Sequence, residues 1–105
     1  MKIGIVIYSG DSEVIWNAFR FANSIPADDE VQIFLVAKGV ECKSMDTETF
    51  NITQHIEQFV RSGGKVYICG TCLDLRKQEA PEDFSRATLK ELYDIIEWCD
   101  KVISF

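Results

Sequence analysis

Three nearly continuous apolar runs constrain this chain more than any other feature: Ile3-Gly4-Ile5-Val6-Ile7-Tyr8, Val31-Gln32-Ile33-Phe34-Leu35-Val36 and Val66-Tyr67-Ile68-Cys69. A strand with one wet face alternates apolar and polar residues. Runs rich in β-branched residues that lack this alternation belong to strands covered on both faces. Such strands are usually parallel, because each parallel connection has to cross a face of the sheet and leaves a helix on it. Val102-Ile103-Ser104-Phe105 is a shorter fourth candidate strand.

The segments between the runs have helical spacing. Val14, Ile15, Ala18, Phe19 and Ala22 form one apolar stripe, preceded by Asp11 and Ser12, either of which can accept the free N–H groups of a helix start. Ile52, Ile56, Phe59 and Val60 form a second, which stops at Gly63-Gly64, where positive φ is inexpensive. Leu89, Leu92, Tyr93 and Ile96 form a third, between Ser85 and Asp100. The expected order is β-α-β-α-β-α-β: an α/β domain in three layers, with a mostly parallel sheet between helices. Lys38 to Thr49 and Asp74 to Asp83 read as irregular, and no repeat or linker divides the chain.

With 105 residues, 47% of them hydrophobic, the chain suits one domain with a modest core. Its formal net charge of −6 argues against binding nucleic acid or anionic membrane surfaces, since both depend on clustered Lys and Arg. No apolar run approaches the roughly 18–20 residues needed to cross a bilayer. The short run after Lys2 is too brief for a signal-peptide core, so the expected compartment is the cytoplasm. There, Cys42, Cys69, Cys72 and Cys99 read as free thiols, a redox or transfer pair, or metal ligands before they read as a disulfide scaffold.

Cys69-Gly70-Thr71-Cys72 holds the most chemistry because it begins where a buried strand ends. In open α/β sheets, reactive groups gather at the carboxyl ends of strands. Arg76, four residues after Cys72, would approach the thiol and lower its pKa if the stretch is helical, while Asp74 opposes it. Cys42 follows the second strand and is a candidate auxiliary thiol at the same edge. Cys99 continues the third apolar stripe and reads as a core thiol, and the single histidine, His55, as a surface or interface residue.

Val66-Tyr67-Ile68-Cys69-Gly70-Thr71-Cys72-Leu73-Asp74-Leu75-Arg76 resembles the strand-plus-CxxC-x-D-x-R segment of YchN-like members of the DsrE/DsrF family. Trp98-Cys99-Asp100-Lys101-Val102-Ile103-Ser104-Phe105 is similar to that family's closing W-x-x-D-K-V-φ-x-F pattern, φ being apolar. The resemblance runs from the opening strand and Ser9-Gly10-Asp11 to the last strand. It implies a YchN-like fold assembled as trimers or hexamers. For several relatives it also implies a cysteine that carries sulfur as a persulfide between donor and acceptor proteins. The matching position is Cys69. On this reading Cys69 captures sulfur and Cys72 resolves it, Gly70, Thr71, Arg76 and Cys42 line the site, and neither metal nor cofactor is needed. One departure stands out: many relatives follow the arginine with glycine where this chain has Lys77-Gln78, so the turn after Arg76 is expected to differ.

Four rival readings share parts of this pattern. A thioredoxin-like oxidoreductase has a CxxC at a strand end, but here the motif follows the third strand, without a preceding Trp or a suitably later proline. A flavodoxin-like carrier would use Tyr8-Ser9-Gly10-Asp11-Ser12-Glu13 as its phosphate loop, without a glycine-rich cradle. A structural zinc site would combine Cys69 and Cys72 with Cys42 or His55, but a second closely spaced ligand pair is missing. The fourth is an oligomeric binding module of the same fold without turnover, and in any oligomer Trp16, Phe21 and Phe50 are the apolar residues expected to be covered.

Overall fold

The three apolar runs become strands β1 (Lys2–Ile7), β2 (Glu30–Leu35) and β3 (Lys65–Cys69) in the computed structural model, which describes residues 1–105. The closing run is β5 (Lys101–Ser104). A further strand, β4 (Ser85–Ala87), was not expected from the sequence. The strands form one five-stranded sheet in the order β4-β3-β2-β1-β5, and every pairing is parallel. Ile5, Ile7, Ile33, Leu35 and Ile68 are wholly inaccessible, as their unbroken apolar runs require.

Helix α1 (Ser12–Ser24) starts where Asp11 Oδ1 accepts the N–H of Val14 at 3.1 Å, and it buries Ile15, Ala18, Phe19 and Ala22. Helix α2 (Ile52–Arg61) buries Ile52, Ile56 and Phe59. The two helices meet through the rings of Phe19 and Phe59, edge to face at 6.3 Å. Asp46, from the preceding loop, accepts the N–H groups of Ile52 and Thr53 at 2.7 and 2.9 Å and so supplements the cap from Asn51. Gly63, with φ of +91°, ends this helical stretch as its position predicts. The segment expected to be irregular after β2 is partly a 3₁₀ helix, Ala37–Ser44, that buries Val40 and Cys42.

Helix α4 (Leu89–Trp98) departs from the expected packing. Most of its apolar stripe faces outward: Leu89, Tyr93 and Ile96 are 63%, 56% and 48% exposed, while Leu92 packs partly against the core and Ile95 is buried. Topology explains this. The chain steps from β1 to β4 in one direction and returns across the sheet to β5, so right-handed crossovers place α4 on the face opposite α1 and α2. Alone on that face, α4 buries one narrow edge. It is seated over Gly4, where an added Cβ would lie 2.9 Å from Ile95 Cγ2 and 3.3 Å from Cys99 Sγ. Cys99, expected in the core, is half-buried at the end of α4.

The expected exposed aromatic patch is also revised. Trp16 packs on Phe50 with ring centroids 5.2 Å apart, and the Arg20 guanidinium covers Trp16 at 4.1 Å, so only Phe21 of the three remains exposed. No helix is long and apolar enough to cross a membrane.

The tight seat at Gly4 sets a test. Gly4→Val should lower the free energy of unfolding by about 1–3 kcal/mol through overpacking against Ile95. Urea unfolding measures this as a lower midpoint at constant m-value. An unchanged midpoint would show that α4 shifts freely on its face.

Candidate functional site

Five parallel strands put all their carboxyl ends on one edge, and the CxxC sits there. Cys69 is the last residue of β3 and pairs with Ala87 at the end of β4. Helix α3 (Gly70–Leu75) begins at once, which places Cys72 in its first turn. Cys69 is only 3% exposed; Cys72 is half-buried, the more accessible of the two.

The Cys72 sulfur has a fixed partner: it accepts the backbone N–H of Ala37 at 3.2 Å. Ala37 has φ of +54°, in the left-handed region that residues with a Cβ rarely adopt. Backbone strain of this kind clusters at functional sites, and here it aims an amide at sulfur. Burial raises the Cys72 thiol above its ordinary pKa. The Ala37 N–H pulls it down, the adjacent Cys69 thiol pushes it up again, and Arg76 makes the smallest contribution, downward. Burial prevails, and the Cys72 thiol is held above its ordinary range.

Arg76 is therefore not mainly a thiol partner. Its Nε donates to Glu41 Oε2 at 2.9 Å and its Nη1 to the Cys72 carbonyl at 3.1 Å, so it ties α3 to the 3₁₀ segment. Thr71 points to solvent, and Gly70 is buried. Cys42 is placed inside the core rather than at the sheet edge, and burial pushes its thiol up to about 12. His55 stands against Trp16 on α2, at a centroid distance of 6.1 Å. No group of three or more His, Cys, Asp or Glu side chains converges as metal ligands would.

Two members of the site escaped the sequence reading. The Ala37 amide left no signal, since alanine does not advertise a left-handed backbone. Arg86 of β4 left none either: it precedes the cross-strand partner of Cys69, and a three-residue strand is too short to show a period. Its guanidinium lies over Gly70, where an added Cβ would be 2.8 Å from both Cζ and Nε, and its Nη2 donates to Asp74 Oδ2 at 2.8 Å.

A parallel five-stranded α/β domain with a dithiol at a strand-end turn is the class that these features define. Within it, the chain belongs to the DsrE/DsrF-like family, whose model matches residues 1–105 and which is associated with sulfur relay. Among solved structures it is similar to the ychN protein from E. coli, at 27% identity and a TM-score of 0.88, covering 100% of this chain and 99% of that one. It also shares its fold with MTH1491 from Methanobacterium thermoautotrophicum, a protein of unknown function, at 10% identity and a TM-score of 0.70, over 99% and 98% of the two chains. No match is found among curated proteins.

The turn after Arg76 keeps a glycine-type geometry without the glycine. Lys77 has φ of +53°, its N–H donates to Asp74 O at 3.1 Å, and the N–H of Gln78 donates to Leu73 O at 3.0 Å. These are the two bonds of a Schellman helix end. A left-handed residue with a Cβ costs about 1–2 kcal/mol, and glycine loses about 0.5–1 kcal/mol of that advantage to its entropy in the unfolded chain. Lys77→Gly should therefore stabilise the protein by about 0.75 kcal/mol, the difference between the centres of those ranges. A denaturation midpoint equal to or below that of the wild type contradicts this account of the turn.

Proposed function

We propose that this chain relays sulfur as a cysteine persulfide on its Cys69–Cys72 pair. The carrying observation is that the two thiols lie side by side at the carboxyl edge of the sheet, with a backbone N–H held on one sulfur. The Cys69 thiolate attacks the outer sulfur of a donor persulfide. The donor S–S bond breaks, the donor leaves as a thiolate with the electron pair, and Cys69 becomes Cys69–S–SH. An acceptor thiolate then attacks the outer sulfur and Cys69 leaves as thiolate. The exchange is redox-neutral overall and needs no metal. Cys72 can instead attack the inner sulfur and expel hydrosulfide, leaving a Cys69–Cys72 disulfide that a thiol reductant resets.

One observation favours a second reading, in which Cys72 receives sulfur first: it is more exposed than Cys69, and its sulfur already holds an N–H donor. Mass spectrometry after incubation with a persulfide donor separates the two. Under the first reading, a gain of about 32 Da, one sulfur atom, is expected in wild type and Cys72→Ser and is lost in Cys69→Ser. The opposite pattern reverses the roles. No adduct with any donor, together with slow alkylation of both thiols at neutral pH, removes the relay in favour of a binding module.

The proposal includes self-association, with donor and acceptor proteins meeting a homotrimer or homohexamer. Leu89, Tyr93 and Ile96 present an apolar stripe, and Val102, 46% exposed and paired with Gly4, faces the same side of the sheet. A second copy of this surface would cover it. Light scattering at micromolar concentration should report a multiple of 12.0 kDa, and Tyr93→Lys should reduce it. A 12.0 kDa particle in the wild type excludes the assembly.

A further inference from the structure

We propose that Arg86 is a positioning residue for the Cys69 sulfur, its guanidinium held over Gly70 to favour the anionic form of that sulfur, with Asp74 as its competing counter-ion. The role rests on the relay reading, which needs Cys69 as an anion, but it is tested on the thiol itself.

The geometry is specific. β4 pairs with β3 so that Ala87 is opposite Cys69 and Arg86 opposite Ile68. From that position the Arg86 side chain reaches across the start of α3 and packs onto Gly70, the residue that follows Cys69. Any side chain at position 70 would overlap the guanidinium, since its Cβ would be 2.8 Å from Cζ and 2.9 Å from Nη2. Gly70 is thus the opening through which a cation reaches the strand end. At rest Arg86 is bound to Asp74 at 2.8 Å, an exposed pair with side chains 51% and 67% accessible, which contributes little to folding.

Two neighbouring cations are committed to carboxylates, and Lys38, which follows Ala37 and makes no ion pair, lays its side chain over Gly10. Arg76 on α3 is tied to Glu41 at 2.9 Å, and Lys43 of the 3₁₀ segment is tied to Asp83 at 2.6 Å. Cys72 is held up by burial. The Asp74 hydrogen bond is the main influence raising the pKa of Arg86, and the charge of Cys69 acts on it in the same direction. When Cys69 gains negative charge, as thiolate or persulfide, Arg86 is the cation whose one anchor, Asp74, is a solvent-exposed carboxylate that it can leave.

The test is site-resolved alkylation of the full chain, with the rate at Cys69 followed by peptide mass spectrometry against pH and Cys99 as internal reference. Arg86→Gln should raise the midpoint for Cys69 by about half to one pH unit, the lower end of the effect of a nearby opposite charge after solvent screening. Arg86→Lys should restore most of it. Asp74→Asn should lower the midpoint, by removing a carboxylate and freeing the guanidinium. Gly70→Ala should act like a weaker Arg86→Gln. Because the group it displaces is the flexible end of a side chain, the fold should tolerate it, which gives a second route if Arg86→Gln folds poorly. In the wild type, added salt should raise the midpoint, and in Arg86→Gln it should do so less.

An unmoved midpoint in both Arg86→Gln and Gly70→Ala, or a lysine that restores nothing, overturns the proposal. If those midpoints are unmoved while the wild type still takes up sulfur, only the role of Arg86 falls. If the midpoints shift as expected and no donor loads sulfur, the relay falls and Arg86 remains the residue that acidifies Cys69.

Discussion

The parallel ladder is the constraint on which the rest of the structure depends. Because neighbouring strands all run the same way, each connection must recross a face, and every strand ends on the same side. The pairs Ile7↔Leu35, Leu35↔Ile68 and Cys69↔Ala87 align the carboxyl ends. Ala37, the Cys69–Cys72 pair and Arg86 are distant in sequence, but this alignment gathers them at one edge. The apolar runs therefore do more than build a core. By making the central strands buried and parallel, they decide where chemistry can be placed.

Around the thiols, opposite charges are matched almost locally. Arg76 with Glu41 joins α3 to the 3₁₀ segment, and Arg86 with Asp74 joins β4 to α3. Partly exposed pairs of this kind add little stability. Their effect is on geometry and on the field at sulfur. The chain is acidic overall, yet two guanidinium groups flank its CxxC. Cys42 shows the contrast: the same functional group, deprived of water, stays a neutral thiol far above physiological pH even though backbone N–H groups and Lys43 pull the other way.

The sheet was legible because its strands are long enough to display composition, and α1 and α2 because each buries a stripe that matches its period. β4 was not legible: three residues, Ser85-Arg86-Ala87, cannot show a period, and they are a strand only because Tyr67, Ile68 and Cys69 offer free hydrogen-bonding groups. The α4 spacing marks a helix, but of its stripe only Leu92 packs against the core. Periodicity reports an apolar face and does not say whether the sheet or the outside meets it. Cys42 was assigned to the edge because it follows a strand, but the 3₁₀ segment turns it inward. At Lys77 a residue type pointed away from a turn that backbone hydrogen bonds nevertheless form. The strand-end position of the CxxC was visible at the outset. Its donor amide and second arginine were not, since both depend on residues brought near by tertiary structure.

β4 is one of the two edge strands, paired only with β3. Opening free energies within one fold range from near zero at frayed edges to the global value in the core, and a short edge strand belongs to the low end. Arg86 rides on this strand, whereas Cys69 is fixed in β3, whose ladder continues to β2. The environment of the sulfur therefore has two levels of permanence. Its position is set by a strand paired on both sides, and the Arg86 guanidinium is carried by a strand paired on one side only. Amide exchange at Ser85 to Ala87 that is faster than at Val66 to Ile68 is the signature of this arrangement, and a partner that pairs with the free edge of β4 would slow it and hold the charge in place.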